Sequence, residues 1–214
     1  MNGERMESTV VYARNAAPLS ALRAAALALV VGTATGALTF VGQRYLPGEW
    51  NVLVNSGAMW LVPVFLVAAR MRSARWGAAA GLGTLAATLL GYYGAAALSG
   101  IPESLYFIAL WCTVGLVAGP LYGVAGNWWR DSRRFRRVTA VALLGGVFVA
   151  EGSYLIVALH YHGSGAGMIA AGVLFTVTLA RAGRDRLYAL LALPAVALLA
   201  FAAHQVIAWL ATAR

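Results

Sequence analysis

Lysine is missing altogether: the sixteen basic residues of this 214-residue chain are all arginine. Without lysine no retinal Schiff base can form. Cysteine is nearly missing too. Cys112 stands alone, which excludes an intrachain disulfide and a cysteine-based metal site. There are seven acidic residues, and no Asp-rich motif for a metal-bound diphosphate occurs among them. Charged residues make up 11% of the chain, against about 25% in a soluble domain.

What fills the chain instead is apolar. Hydrophobic residues account for 61% and the mean hydropathy is +0.75. Runs of bilayer-crossing length recur throughout. They are Ala21–Gly42, Asn51–Ala69, Trp76–Leu98, Leu105–Gly126, Val138–Leu159, Gly165–Ala180 and Leu187–Ala211. The expected fold is an all-α integral-membrane bundle of seven transmembrane helices. The sixth run is the shortest, and a re-entrant sixth segment would leave six spans.

Arginine placement tests that count. Arg5, Arg14 and Arg23 lie at the start of span one. Arg70, Arg72 and Arg75 separate spans two and three. Arg130, Arg133, Arg134, Arg136 and Arg137 separate four and five, and Arg181, Arg184 and Arg186 separate six and seven. Only Arg44 and Arg214 fall on the other side. The positive-inside rule predicts a cytoplasmic N-terminus and an outside C-terminus. The net charge of +9 is therefore read as a topology signal suited to anionic lipid, and no nucleic-acid partner is expected. Trp128 and Trp129 read as interfacial anchors. The organisation predicted is a polar cytoplasmic segment, 1–20, followed by a single seven-helix domain, 21–214. The first run reads as a retained helix, not a cleaved signal peptide.

Small residues recur at four-residue spacing in Gly32-x-x-x-Gly36, Gly77-x-x-x-Gly81 and Gly115-x-x-x-Gly119-x-x-x-Gly123. Such spacing lets helices approach closely. Packing within the chain is the expectation, with dimerisation the alternative. Pro63, Pro120 and Pro194 fall inside spans and can kink them.

Glu151 is the only acid inside a long apolar run. An ionisable side chain at that depth is costly unless paired, neutral or facing a cavity, so its default reading is functional. It lies roughly 12 Å from the outer end of span five at about 1.5 Å per residue. Thr39, Asn55, Ser56, Trp60, Tyr92, Tyr93, Trp111, Phe148, Tyr154, His204 and Gln205 fall in the same outer half. Tyr106 and Phe107 do so as well, although an interfacial aromatic belt would also explain those two. Phe148, Glu151 and Tyr154 are spaced by three and can share a helical face. The expectation is an outer-half cavity centred on Glu151. Asn55 and His204 would orient the acid, and Trp60, Tyr92, Tyr93, Trp111, Phe148 and Tyr154 would line the cavity. The alternative is a Glu151 that only links helices through hydrogen bonds. His160 and His162 lie in the outer loop, and no metal site and no cofactor are expected.

An apolar pocket with one carboxylic acid suits general acid attack on an alkene or epoxide. Tyr and Trp faces would stabilise the resulting cation without a nucleophile. Protonation-initiated cyclisation of a lipophilic isoprenoid needs these parts, with the substrate entering from the lipid bilayer. Glu151, Tyr154, Asn55 and His204 are the candidate catalytic residues.

The stretches LPGEWN, NSGAMW, GYYGAAAL, GPLYGVAGNWWR and AEGSY resemble a largely uncharacterised family of small actinobacterial multi-pass membrane proteins, over most of the chain. Size, span number and an isolated acid also resemble drimentine-type membrane-bound terpene cyclases. That second resemblance implies cyclisation of a prenylated aromatic in a bacterial cytoplasmic membrane. Fungal relatives of those enzymes use two acids; here the second is missing or replaced by Tyr154, Asn55 or His204. The competing reading is a substrate-capture or proton-coupled transport protein for a small aromatic or amphipathic ligand, with Glu151 as the proton site. The sequence leaves oligomeric state open.

Overall fold

A computed structural model describes residues 20–181 and 183–212. Apart from Ser20, the polar segment 1–20 lies outside the described residues. Seven helical segments are long and apolar enough to cross a membrane. Every described element is helical, and the chain is a seven-helix integral-membrane bundle. The sixth segment, α7 (His162–Leu179), has 18 residues, or about 27 Å at 1.5 Å per residue. That length is enough to span the hydrocarbon core.

The first helix, α1 (Ala21–Tyr45), starts at Ser20, whose hydroxyl accepts the Arg23 N–H at 3.4 Å. The second segment departs from expectation. The run Asn51–Ala69 does not form one continuous helix. A 3-10 turn over Gly48–Trp50 leads into a single turn, α2 (Asn51–Val54), and the chain then breaks at Asn55 and Ser56. Ser56 is extended (φ −74°, ψ 127°), and α3 (Gly57–Ala68) begins after it. Asn, Ser and Gly favour caps and turns over helix interiors, and three in a row outweigh the apolar run around them.

The remaining helices are α4 (Ala74–Leu98), α5 (Leu105–Trp129), α6 (Arg134–Leu159) and α8 (Gly183–Thr212). Gly100 ends α4 in the left-handed region (φ 69°), where the Ile101 N–H reaches back to the Ala96 carbonyl at 3.0 Å. Without a side chain, Gly adopts this conformation at no steric cost.

The glycine motifs pack within the chain. A Cβ on Gly32 would stand 2.7 Å from the Ala87 Cβ, and one on Gly91 would stand 2.8 Å from the Thr33 Cα, so α1 and α4 touch backbone to backbone. Between α4 and α5, a Cβ on Gly77 would lie 2.7 Å from the Gly123 carbonyl, and one on Gly81 would lie 2.8 Å from the Gly123 Cα. Gly152 and Gly165 make the equivalent contact between α6 and α7. In lipid, close packing stands in for the hydrophobic drive. Thr84, Thr88 and Thr176 are fully buried there, each donating to the carbonyl four residues earlier at 2.8–2.9 Å.

The core runs between α3 and α6. Ala58, Val64, Phe65, Leu144 and Phe148 are wholly inaccessible, and Trp60, Leu61 and Tyr122 pack with them. The three Arg-bearing connections meet at one end. There Asn127 donates to the Met71 carbonyl at 2.7 Å and Trp129 to the Leu179 carbonyl at 2.9 Å. Asp185, 3% exposed, pairs with Arg137 at 2.8 Å and with Arg134 at 3.2 Å. The break in the second segment lies in the opposite half.

Candidate functional site

The break at Asn55–Ser56 creates a helix N-terminus inside the protein. The first N–H groups of a helix have no partner within it, and in an apolar interior they need one. Two side chains supply it. The Ser56 hydroxyl accepts the Met59 N–H at 3.2 Å, the ordinary N-cap geometry. From α6, Glu151 Oε2 accepts the Ala58 N–H at 2.8 Å, with the Ser56 side chain and the Gly57 backbone beside it. Glu151 is 6% exposed and Ser56 is 1% exposed. A carboxylate is acceptor-only and suits a set of donors. It also complements the partial positive charge at a helix start.

This geometry corrects the expected surroundings of Glu151. The acid is held by Ser56, Gly57 and Ala58, not by Asn55 and His204. Asn55 is exposed at the break. His204 lies against Tyr154, with ring centroids 4.2 Å apart, where α8 packs on α6. Nor do Phe148, Glu151 and Tyr154 share one environment. Phe148 meets Phe175 of α7 at 5.1 Å, Glu151 meets α3, and Tyr154 meets α8. Each step of three falls about 60° short of a full turn, so the outer two of the triplet point to different neighbours. Gly57 and Ala58 lie beside the carboxyl on its α3 side.

The aromatic residues expected on spans two, three and four do come together. Trp60 lies 6.0 Å from Tyr92 and 6.5 Å from Trp111, centroid to centroid, and Tyr92 meets Tyr93 edge-on at 5.2 Å. The Trp60 indole N–H donates to Thr39 Oγ1 at 3.0 Å, tying α3 to α1. Trp60 is two residues beyond Ala58, so the cluster and the acid are joined through the first turn of α3.

A second acid repeats the arrangement. Glu49 Oε2 accepts both the N–H and the hydroxyl of Ser164, each at 3.2 Å, in the first turn of α7. The segment from Glu49 to Ala58 is thus clasped at both ends: Glu49 holds α7, and Glu151 holds α3. Sequence reasoning passed over Glu49 because it precedes the apolar run. It also passed over the break, for which Asn55-Ser56-Gly57 was the available signal.

His160 and His162 sit at the exposed turn between α6 and α7. No group of three His, Cys, Asp or Glu among the described residues could hold a metal ion. A small cleft is found at the Arg-rich end, between Trp129, Arg137, Val138 and Leu179.

Neither the curated proteins nor the solved structures include a match to this chain. Residues 15–209 do match DUF6518, a family of unknown function, and the chain belongs to that family.

Proposed function

We propose that this protein is a proton-responsive membrane carrier for a small aromatic or amphipathic molecule. Glu151 is the protonation site, and the α2–α3 break is the moving element. One observation carries the reading: an intramembrane carboxyl group holds the N-terminus of a half-helix, through the 2.8 Å bond from Ala58. Interrupted helices whose half-helix N-termini face anionic groups are a recurrent construction at transporter substrate sites. Protonation of Glu151 removes the charge assistance from that bond and weakens the hold of α6 on α3. Movement of α3 then shifts Trp60 against Tyr92 and Trp111, the surfaces on which a ring would stack. Proton and ligand are coupled reciprocally, because each biases the same element. With the Arg-rich end in the cytoplasm of a bacterial cell, the break faces the outer half of the membrane.

The test is uptake of radiolabelled tryptophan, tyramine and indole-3-acetate into proteoliposomes under an imposed proton gradient. Wild type is expected to accumulate at least one probe only with the gradient, and Glu151→Gln to lose that dependence. Gradient-dependent uptake that survives Glu151→Gln overturns the assignment of Glu151.

Acid-initiated cyclisation is the second reading, favoured by the Trp60, Tyr92, Tyr93 and Trp111 cluster. Like the carrier reading it needs Glu151 protonated, and a protonated carboxyl can still accept the Ala58 N–H through its carbonyl oxygen. Cells fed a linear prenylated indole test it: an isomer of unchanged mass, made by wild type and not by Glu151→Gln, would establish it over the carrier reading.

A further inference from the structure

We infer that His204 and Tyr154 form a binding site for the ring of an uncharged isoprenoid lipid of the quinone class. The two side chains meet across the α6–α8 contact, with ring centroids 4.2 Å apart and planes tilted by 49°. Each carries a hydrogen-bonding group. A neutral imidazole has one N–H donor and one acceptor nitrogen, and a phenol donates through its O–H. Among the described residues, neither group has a hydrogen-bond partner. Every side-chain nitrogen or oxygen sealed inside the described bundle does have one, so these two groups open outward. Val157 and Ala158, one turn above Tyr154 on α6, are exposed, Val157 at 65%.

Depth makes that opening costly. Tyr154 lies five residues before the end of α6 and His204 eight before the end of α8, or about 8 and 12 Å in at 1.5 Å per residue. Above them the Tyr106 hydroxyl donates to the Leu210 carbonyl and bridges the start of α5 to the end of α8. Hydrocarbon offers no hydrogen bonds, and an intramembrane imidazole without a partner is strongly disfavoured. A molecule dissolved in the bilayer supplies the partner. A charged headgroup would have to leave water to reach this depth. The ligand instead needs an acceptor on an uncharged body. A flat ring with carbonyl oxygens meets both needs: a carbonyl accepts the N–H or O–H, and the ring packs on aromatic rings. An isoprenoid tail matches the exposed Leu198 and Leu199 of α8. Glu151 turns to α3 instead, and the inference is independent of the carrier reading.

The full chain in lipid nanodiscs is offered a 1,4-naphthoquinone bearing two isoprenyl units, or a naphthalene with the same chain. Ligand is counted in excess of that taken up by protein-free nanodiscs, and the quinone carbonyl stretch is read by infrared difference spectroscopy. Excess quinone with a lowered carbonyl frequency is expected, and no excess naphthalene. His204→Phe and Tyr154→Phe keep the rings and remove the polar groups. Each should weaken retention roughly fivefold and reduce the frequency shift, which lost packing alone would not do. Equal excess of the two compounds would reduce the effect to partition onto an apolar face and overturn the site. So would unchanged retention and frequency in both variants. Loss with Trp60→Phe in place of His204→Phe would put the quinone in the Trp60 cluster and overturn it too. Should the variants fail to fold, wild type decides: an unshifted carbonyl band overturns the inference.

Discussion

Glu151 and Ala58 are 93 positions apart in the chain, yet the carboxyl of one accepts the backbone N–H of the other at 2.8 Å. That bond joins the most buried helix of the bundle to the start of a half-helix. It gives an intramembrane acid a definite partner and gives a broken transmembrane segment its terminus.

Removing the acceptor should cost stability in a graded way. Glu151→Ala leaves the Ala58 N–H without its acceptor in an apolar interior. A loss on the order of 2–3 kcal/mol is expected, from the worth of charge-assisted bonds and the penalty of an unmet donor. Glu151→Gln retains an amide oxygen and should lose less than half of that. Reversible unfolding in detergent or lipid bicelles provides the comparison. Equal losses would show that the hydrogen bond contributes little.

Ser56 shares the same terminus. Ser56→Ala removes the cap on Met59 and should cost about 1 kcal/mol, and Ser56→Gly only a few tenths. Because Ser56 and Glu151 serve one helix start, the double variant Ser56→Ala, Glu151→Gln should depart from additivity by at least about 0.5 kcal/mol. A double-mutant cycle on Tm or on denaturant unfolding reads this directly. Additive losses would mean that the two groups act separately.

Two neighbouring glycines predict opposite behaviour. A Cβ on Gly81 would lie 2.8 Å from the Gly123 Cα, whereas one on Gly83 meets nothing within 4 Å. Gly81→Ala should therefore separate α4 from α5 and destabilise by about 1–3 kcal/mol, the range for overpacking. Gly83→Ala lies on the open face and should stabilise, by up to about 1 kcal/mol, through helix propensity. Expression level and Tm of the two variants check the pair.

Asp131 lies in the connection between α5 and α6. The Arg133 backbone N–H, at 2.8 Å, and then the Arg136 guanidinium, at 2.7 Å, hold its carboxyl below the ordinary value of 3.8. A depressed folded-state pKa favours the fold at pH values above the ordinary value. The contribution shrinks as pH falls below 3.8 and is gone once the pH passes below the folded-state value. Asp131→Asn should flatten that acid limb while leaving the bundle folded near neutrality. Tm measured between the two regimes, wild type against variant, is the test.

Asp185 pairs two arginines while only 3% exposed. Asp185→Asn strands the charge of Arg137, whose side chain is 17% exposed. A loss of about 3 kcal/mol follows from breaking one side of a buried pair. Adding Arg137→Gln should recover part of it. Thermal unfolding of the single and double variants separates stranded charge from lost packing.

Composition and charge spacing determined the class of this protein. Hydropathy is a local sum, and twenty apolar residues cross a bilayer whatever they later touch. The arginine-bearing connections could be counted off for the same reason, as could the singularity of Glu151. The glycine spacings announced close helix contacts, because a missing side chain is itself a local property. Partners are not local. Only the tertiary structure decided that Gly77 and Gly81 meet Gly123, that His204 belongs to Tyr154, and that Phe148 turns toward α7. It also decided where the second segment breaks. Asn55, Ser56 and Gly57 merely weaken a helix. The break becomes stable because Glu151 of α6 supplies the acceptor that the new N-terminus requires, and that pairing exists only once α3 and α6 are side by side.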